Sequence, residues 1–397
     1  MNDLDTPLAG IRVVELSHVL AGPICGLMLA DLGAEVIKVE RPPKGDGQRW
    51  DVSADDSLGS DSASFFMINR GKDSVVLDLK SEADKAELWA LIGSADCLVE
   101  NYRVGALDKL GFGYEAVKAR HPGIVYCSIS GYGRSGPWAD RGGFDLIMQG
   151  LSGIMSFTGD KGAAHPTKCG PPITDIAAGV LAALGVVSAL LRKARTGKGD
   201  HVETTLLETG VMFTYLQTAL ALASGVDPKP MGTGYPTYTP YEAFEAKDGW
   251  IAFGTTAGEE SWLRLLEILD LTPIADDPRF VTTAARVENR EALSELLTAR
   301  LRTRERDFWV EKLTEAGMPC GPVLKVSEMM RHPQVVAREI IADYPHAELG
   351  SAKAIACPVT FREAERPPRK SAPLLGREGV VSVSEDAGGK ACRDQVA

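Results

Sequence analysis

Asp175 stands in Ile173-Thr-Asp-Ile-Ala-Ala-Gly179, at the head of an apolar stretch that runs to Leu191. Spacing supports two readings of it. An aspartate just before a helix caps it by accepting backbone N–H bonds. A carboxylate at that place is also kept ionised by the positive end of the helix dipole, and Asp is among the side chains that attack covalently. The small residues Ala177, Ala178 and Gly179 would let a thioester carbonyl approach closely. The two roles are compatible.

A second group of residues is cationic and lies beside strand ends: Arg41 after Glu40, Arg70 and Lys72 in NRGK, Arg103 after ENY, and Lys109. Singly, each reads as a solvated surface charge. Together, at the C-terminal edges of α/β strands, they could line a cleft for a phosphorylated ligand. His18 lies in the first strand-to-helix loop, where such a ligand would pass, although a lone loop histidine is more often structural. Gly131-Tyr-Gly-Arg-Ser-Gly136 matches the dinucleotide spacing, but a helix must open inside that motif to receive a pyrophosphate. Here GPWADRGG follows with no apolar helical period, so these glycines read as an irregular loop with positive φ angles. No P-loop, G-x-S-x-G or metal-ligand spacing is present, which leaves NTPase, α/β-hydrolase and metallohydrolase readings without a motif.

The elements that must position these residues alternate. Gly10–Leu16 reads as a buried strand, SHVLAGP as a loop, the residues to Leu32 as an apolar helix, and Ala34–Glu40 as a second strand. Strand, helix and strand within about 30 residues is a βαβ unit and favours parallel pairing. The pattern repeats with strands at 74–79, 97–100 and 123–129 and helices at 81–92 and 114–120, so the first part of the chain reads as an α/β layer. A long apolar helix that Asp175 precedes ends at Arg192, Lys193 and Arg195 before Gly197. Residues 250–254 read as strand, 262–271 as helix and 284–316 as helical, which points to a second, smaller domain within 225–325. The tail from Ser382 reads as polar and frayed.

Composition excludes several classes. The 397 residues are ample for a large core, and the net charge of −11 lacks the basic footprint of a nucleic-acid binder. Seven scattered cysteines with no C-x-x-C spacing argue against a disulfide framework or zinc module and for a reducing compartment. The N-terminus has no basic region leading into an apolar run, and the run 176–191 falls short of the roughly 20 residues of a membrane span. A soluble cytoplasmic protein without a signal peptide is expected.

At these residues the chain resembles the family III coenzyme A transferases, the group that includes formyl-CoA transferase, carnitine CoA-transferase and the succinyl-CoA:dicarboxylate CoA-transferases. The matching stretches include GIRVVELSHVLAGP, LADLGAEVIKVERP, NRGKDSVVLDLK, DCLVENYRVGALDKLGFGY, YCSISGYGRSGP, RGGFDLIMQGLSG, ITDIAAG, RTGKGDHVETTLLE and GMPCGPV, and the resemblance covers about residues 8–378. It implies an α/β fold with a large Rossmann-like domain from both chain ends (1–205 and 326–397), a smaller α/β domain at 225–325, a linker helix at 206–224, and an interlocked homodimer. It implies that Asp175 is the nucleophile of an acyl-CoA:carboxylate CoA-transferase, working through an aspartyl anhydride and an aspartyl-CoA thioester. No metal or other cofactor is implied; the CoA thioester is a substrate.

The resemblance further implies that Val19, Leu20 and Ala21 lie near the pantetheine and thioester, and His18 of the same loop is a candidate CoA contact by its position. The resemblance puts Arg41, Asn101, Tyr102 and Lys109 around the CoA nucleotide and phosphates, with Arg70 and Lys72 carried over from NRGK, while Arg103 is a candidate CoA contact by its place after ENY. Two stretches depart from formyl-CoA transferase. Gly254–Ser261 lacks its glycine run, and Leu20 stands where it has Gln. Within the same fold, α-methylacyl-CoA racemases place a histidine in a G-H-D stretch, and this chain has Gly143-Phe144-Asp145. Without that imidazole a two-base racemase lacks one base. A non-enzymatic CoA-binding protein is the remaining alternative. The ENY, ITD and GPV stretches resemble most the members that use succinyl-CoA and small dicarboxylates.

Overall fold

The computed structural model describes residues 5–50, 57–59, 61–255 and 259–376; the tail from Ser382 and part of the Gly254–Ser261 stretch lie outside the described residues. Two compact units are formed. One comprises Met1–Met148, Pro171–Met212 and Ile340–Ala397, the other Gln149–Gly170 and Phe213–Glu339.

The first unit is built on a six-stranded sheet. Its strands are β1 (Arg12–Leu16), β2 (Glu35–Glu40), β3 (Asp73–Val76), β4 (Cys97–Glu100), β5 (Val125–Ser130) and β6 (Asp200–Thr205), in the order β3-β2-β1-β4-β5-β6. Every pairing is parallel. β6 is absent from the reading of the sequence because DHVETT alternates polar residues with only one large aliphatic side chain. The sheet is buried on both faces, as parallel sheets require. Val13, Val36, Val99 and Cys127 face helices α1 (Ala21–Asp31) and α4 (Ile173–Thr196), while Val14, Leu16, Ile37 and Leu98 pack with Leu88 and Leu91 of α2 (Glu82–Gly93) and Val117 of α3 (Tyr114–Arg120).

Strand order reverses between β1 and β4, and in an open α/β sheet the crevice at such a reversal is where ligands bind. The loops leaving β1 and β4 carry SHVLAGP and ENYR. Helix α1 is pressed between the sheet and α4. A Cβ on Gly179 of α4 would sit 2.5 Å from the Ala21 carbonyl oxygen, and one on Gly26 of α1 would sit 1.8 Å from Glu15 Oε2. Both positions therefore require glycine for close approach. Helix α4 begins two residues before Asp175 and runs 24 residues, longer than its uninterrupted apolar stretch. By length and composition alone it could cross a membrane. Its row Thr174, Ala178, Ala182, Val186, Ala189 packs into the first unit's core, while Ile176, Val180, Leu184 and Leu191 remain exposed.

The second unit holds a three-stranded antiparallel sheet of β7 (Tyr241–Glu245), β8 (Trp250–Gly254) and β9 (Cys320–Pro322), with β8 central. Phe244, Ile251 and Phe253 pack there with Trp262, Leu265, Leu297, Trp309 and Leu313. The boundaries differ from those expected. Residues 149–170 group with this unit, where Gly232 N–H donates to Gly159 O (2.9 Å) and Lys161 pairs with Glu291. Residues 326–339 do likewise. The stretch 206–224 is two helices, Leu206–Met212 in the first unit and Tyr215–Ser224 in the second.

Candidate active site

The site rests on a buried charge network that no apolar pattern announces. Glu15 on β1 and its register partner Lys38 on β2 are wholly inaccessible, as is Lys72 at the start of β3. Lys38 Nζ lies 3.1 Å from Glu15 Oε1, 2.9 Å from Asp46 Oδ2 and 2.9 Å from Ser17 O. Lys72 Nζ lies 2.8 Å from Glu15 Oε2 and donates to Pro23 O and Asn69 Oδ1. Burial opposes the Glu15 charge, but Lys72 and Lys38 outweigh it and hold the carboxyl below its ordinary range. Burial pulls the Lys72 ammonium down to about 8 against the pull of Glu15.

This network fixes the loop after β1. Asp46 accepts the Val19 N–H (3.1 Å) and holds Val19 at φ 67°, a left-handed conformation rare for a β-branched residue. Asn101, after β4, brackets the same loop: its Oδ1 accepts the His18 N–H (3.0 Å) and its Nδ2 donates to the His18 carbonyl (2.8 Å). The His18 ring meets Tyr102 edge-on at 5.4 Å. Burial lowers the imidazole's pKa below its ordinary value, with Asp46 pulling the other way and Lys38 and Arg41 adding to the lowering, which favours the neutral ring at physiological pH.

Asp175 is the third residue of α4, inside the first turn rather than before it, and makes no capping bond. The cap is supplied by Asp145, whose Oδ1 accepts from Thr174 N–H (3.0 Å) and Thr174 Oγ1 (2.8 Å). Among the described residues, the Asp175 carboxylate has no hydrogen-bond or ion-pair partner. Burial, and then the charge of Asp145, push its pKa up to about 6. It remains largely ionised at neutral pH and carries less stabilisation than an ordinary surface carboxylate.

Asp175 opens into a cleft of about 620 Å³ whose wall includes His18, Ala21, Asn101, Tyr102, Arg103 and Arg141. Six of the residues expected from the sequence therefore share one cavity: Asp175, His18, Ala21, Asn101, Tyr102 and Arg103. Val19 and Leu20 belong to the same loop without lining it. Arg41 is exposed, near enough for its charge to act on His18 and Tyr102. Lys109 is exposed on the short helix Ala106–Leu110, outside the lining.

Arg70 and Lys72 do not stand as ligand-binding cations. Arg70 is buried, paired with Asp31 and donating to Ile355 O (2.7 Å), with Tyr344 under its guanidinium at 4.7 Å. Lys72 is locked beneath α1. Both charges answer acids, Asp31 and the buried Glu15, that the linear pattern does not connect to them.

The G-x-G-x-x-G stretch is an irregular loop with φ of 91° at Gly133 and 87° at Gly136, and Gly131 and Tyr132 line the cleft. Phe144 also lines it and is 61% exposed. The sequence reading missed Arg141, Asp145 and the Lys38–Asp46 pair. A signal for Asp145 was present, an acidic residue opening the Asp145–Leu151 helix. Arg141 lies in a loop with no periodicity.

Comparison with known proteins matches residues 8–379 to the model for CoA-transferase family III. The chain is 35% identical over 384 residues to a succinate–glutarate CoA-transferase of Agrobacterium fabrum, covering 96% of this chain and 95% of that one. It is 35% identical over 385 residues to an acetyl-CoA:oxalate CoA-transferase of Acetobacter aceti, covering 96% of each. A solved CAIB/BAIF family protein from Brucella suis superposes with a TM-score of 0.84 at 36% identity, covering 94% of this chain and 97% of that one. With the family model spanning both units, this chain is a CoA-transferase and belongs to CoA-transferase family III.

Proposed function

We propose that the protein moves coenzyme A between carboxylic acids through covalent chemistry on Asp175, with succinyl-CoA or another small dicarboxylyl-CoA as donor. The observation that carries this reading is a partly buried carboxylate, unpaired among the described residues, at the first turn of α4 in a cleft of sufficient size. The names of similar proteins, succinate–glutarate and acetyl-CoA:oxalate CoA-transferase, support the substrate class.

In this reading an Asp175 oxygen attacks the thioester carbonyl, the C–S bond breaks, and a mixed anhydride and CoA thiolate result. The thiolate attacks the aspartyl carbonyl of the anhydride, giving aspartyl-CoA and freeing the donor acid. The acceptor carboxylate attacks aspartyl-CoA, regenerating an anhydride and the thiolate. The thiolate then attacks the acceptor's acyl carbon, giving the new acyl-CoA and the original Asp175 carboxylate. No proton is gained or lost, so the neutral His18 is not needed as a base. Positioning and electrostatic stabilisation of each oxyanion are the protein's task. The exposed row Ile176, Val180, Leu184, Leu191 on α4 supports a homodimer, since an apolar face of this extent is ordinarily covered.

The test is the half-reaction. Mixed with succinyl-CoA and no acceptor, the protein releases succinate stoichiometric with its Asp175 sites and retains CoA covalently. Release that needs an acceptor even in the first turnover contradicts the reading.

The electrostatics give a second expected result. An ionised nucleophile with a pKa of about 6 makes kcat/KM fall tenfold per pH unit below that value. Asp145→Asn keeps an oxygen for Thr174 but removes the charge that disfavours ionisation of Asp175. The acid limb then moves to lower pH by about 0.5–1 unit. A pH–rate profile that does not move contradicts this assignment of the shift.

A further inference from the structure

Asp175 shares its cleft with two guanidiniums, Arg103 and Arg141, and neither has an acidic partner among the described residues. Gly142 directly follows Arg141 in sequence, and a Cβ there would lie 3.3 Å from Arg103 Nη2.

Arg141 differs from Arg103 in how it is held. Its guanidinium stacks on Trp138 at 4.2 Å, and Trp138 meets Tyr132 edge-on at 5.4 Å. Tyr132 in turn abuts Gly143, where a Cβ would approach Tyr132 Cε2 to 3.2 Å. An arginine restrained on an aromatic face keeps its donor fork free while losing little rotamer entropy when it binds, and that fork matches a carboxylate in two parallel hydrogen bonds. A free acid, or an acyl group that already uses one carboxyl in its thioester, offers a second carboxylate only if it is a dicarboxylate.

Resting on the reading of Asp175 as nucleophile, we infer that Arg141, preset by Trp138 and Tyr132, receives the distal carboxylate of a dicarboxylyl group and selects dicarboxylyl-CoA over monocarboxylyl-CoA. Arg103 is left for the phosphates of CoA, common to every donor. Arg141 is a specificity residue in this account and touches no reacting atom.

The experiment measures binding in the Asp175→Asn background, so that it needs no turnover. Calorimetric titrations with succinyl-CoA and butyryl-CoA, which differ by the distal carboxylate, give a preference for succinyl-CoA of about 30- to 100-fold. Adding Arg141→Met, which keeps apolar contact with Trp138, removes that preference and changes butyryl-CoA binding by less than about threefold. Adding Arg103→Met instead weakens both ligands alike. Equal binding of the two ligands before Arg141 is changed, or a preference that survives Arg141→Met or vanishes with Arg103→Met, overturns the inference. Failure of the half-reaction, by contrast, overturns the nucleophile reading whatever these titrations show.

Discussion

Asp175→Ala lowers transfer by about four orders of magnitude or more while leaving CoA binding within about threefold. The size follows from the chemistry: no other acid among the described residues lines the cleft, so no carboxylate can take over the anhydride. Stability separates this outcome from simple misfolding. The folded pKa of Asp175, about 6, lies above its ordinary 3.8, so the folded state binds the proton more tightly than the unfolded chain. Ionisation therefore costs the fold nothing below about pH 4, a growing amount between about pH 4 and 6, and a full about 2–3 kcal/mol above that. Asp175→Asn removes this cost. The variant melts higher than wild type near pH 8, and the difference closes as the pH falls to about 4. An inactive variant that also melts lower at pH 8 would mean that Asp175 supports the fold rather than the reaction.

Glu15→Gln is the most destabilising single-charge change expected outside the cleft. The carboxylate lies against Lys38 and Lys72, at 3.1 and 2.8 Å, and all three side chains are wholly buried. Removing one partner of a buried ion pair leaves the others uncompensated, at about 3–5 kcal/mol. For a unit of this size that lowers Tm by about 10 °C. Combining Glu15→Gln with Lys72→Met costs less than the sum of the two, because removing both partners leaves fewer orphaned charges. The effect extends to the site, since Lys38 also holds Ser17 O and Asp46, which fixes Val19. The surviving protein binds CoA more weakly. A Glu15→Gln melting point within about 1 °C of wild type would contradict the network.

Local signals carried much of the fold. Five of the six sheet strands were legible because RVVEL, EVIKVE, DSVV, CLVE and VYCSIS are β-branched or apolar runs bounded by turns. The sixth, DHVETT, has one aliphatic residue of size and pairs along its whole length with β5. Helix α4 was legible in type but not at its start, since Pro172 stands at the cap and the capping acid, Asp145, is 29 residues away. Such a cap follows from tertiary structure, and no spacing rule finds it.

The candidate site divides the same way. His18 and Arg103 could be placed because they lie in loops after strands, at the point where sheet order reverses, whereas Asn101 and Tyr102 came from the family resemblance. Arg70 and Lys72 also flank a strand, and nothing in NRGK distinguishes a cation facing ligand from one facing Glu15 or Asp31. Their partners come from β1 and α1, so only the assembled sheet separates the two cases. Arg141 shows the converse, a cation in an irregular loop that folding brings to the cleft.

The central claim is the covalent bond to Asp175. Incubating the protein with succinyl-CoA and hydroxylamine, then digesting it and sequencing the peptides by mass spectrometry, captures an activated carboxyl as its hydroxamate. The account predicts a hydroxamate on Asp175, on no other acidic residue, and dependent on the acyl-CoA. A peptide spanning Asp175 that stays unmodified across a panel of acyl-CoAs while CoA still binds, or a hydroxamate on a different residue, would contradict it.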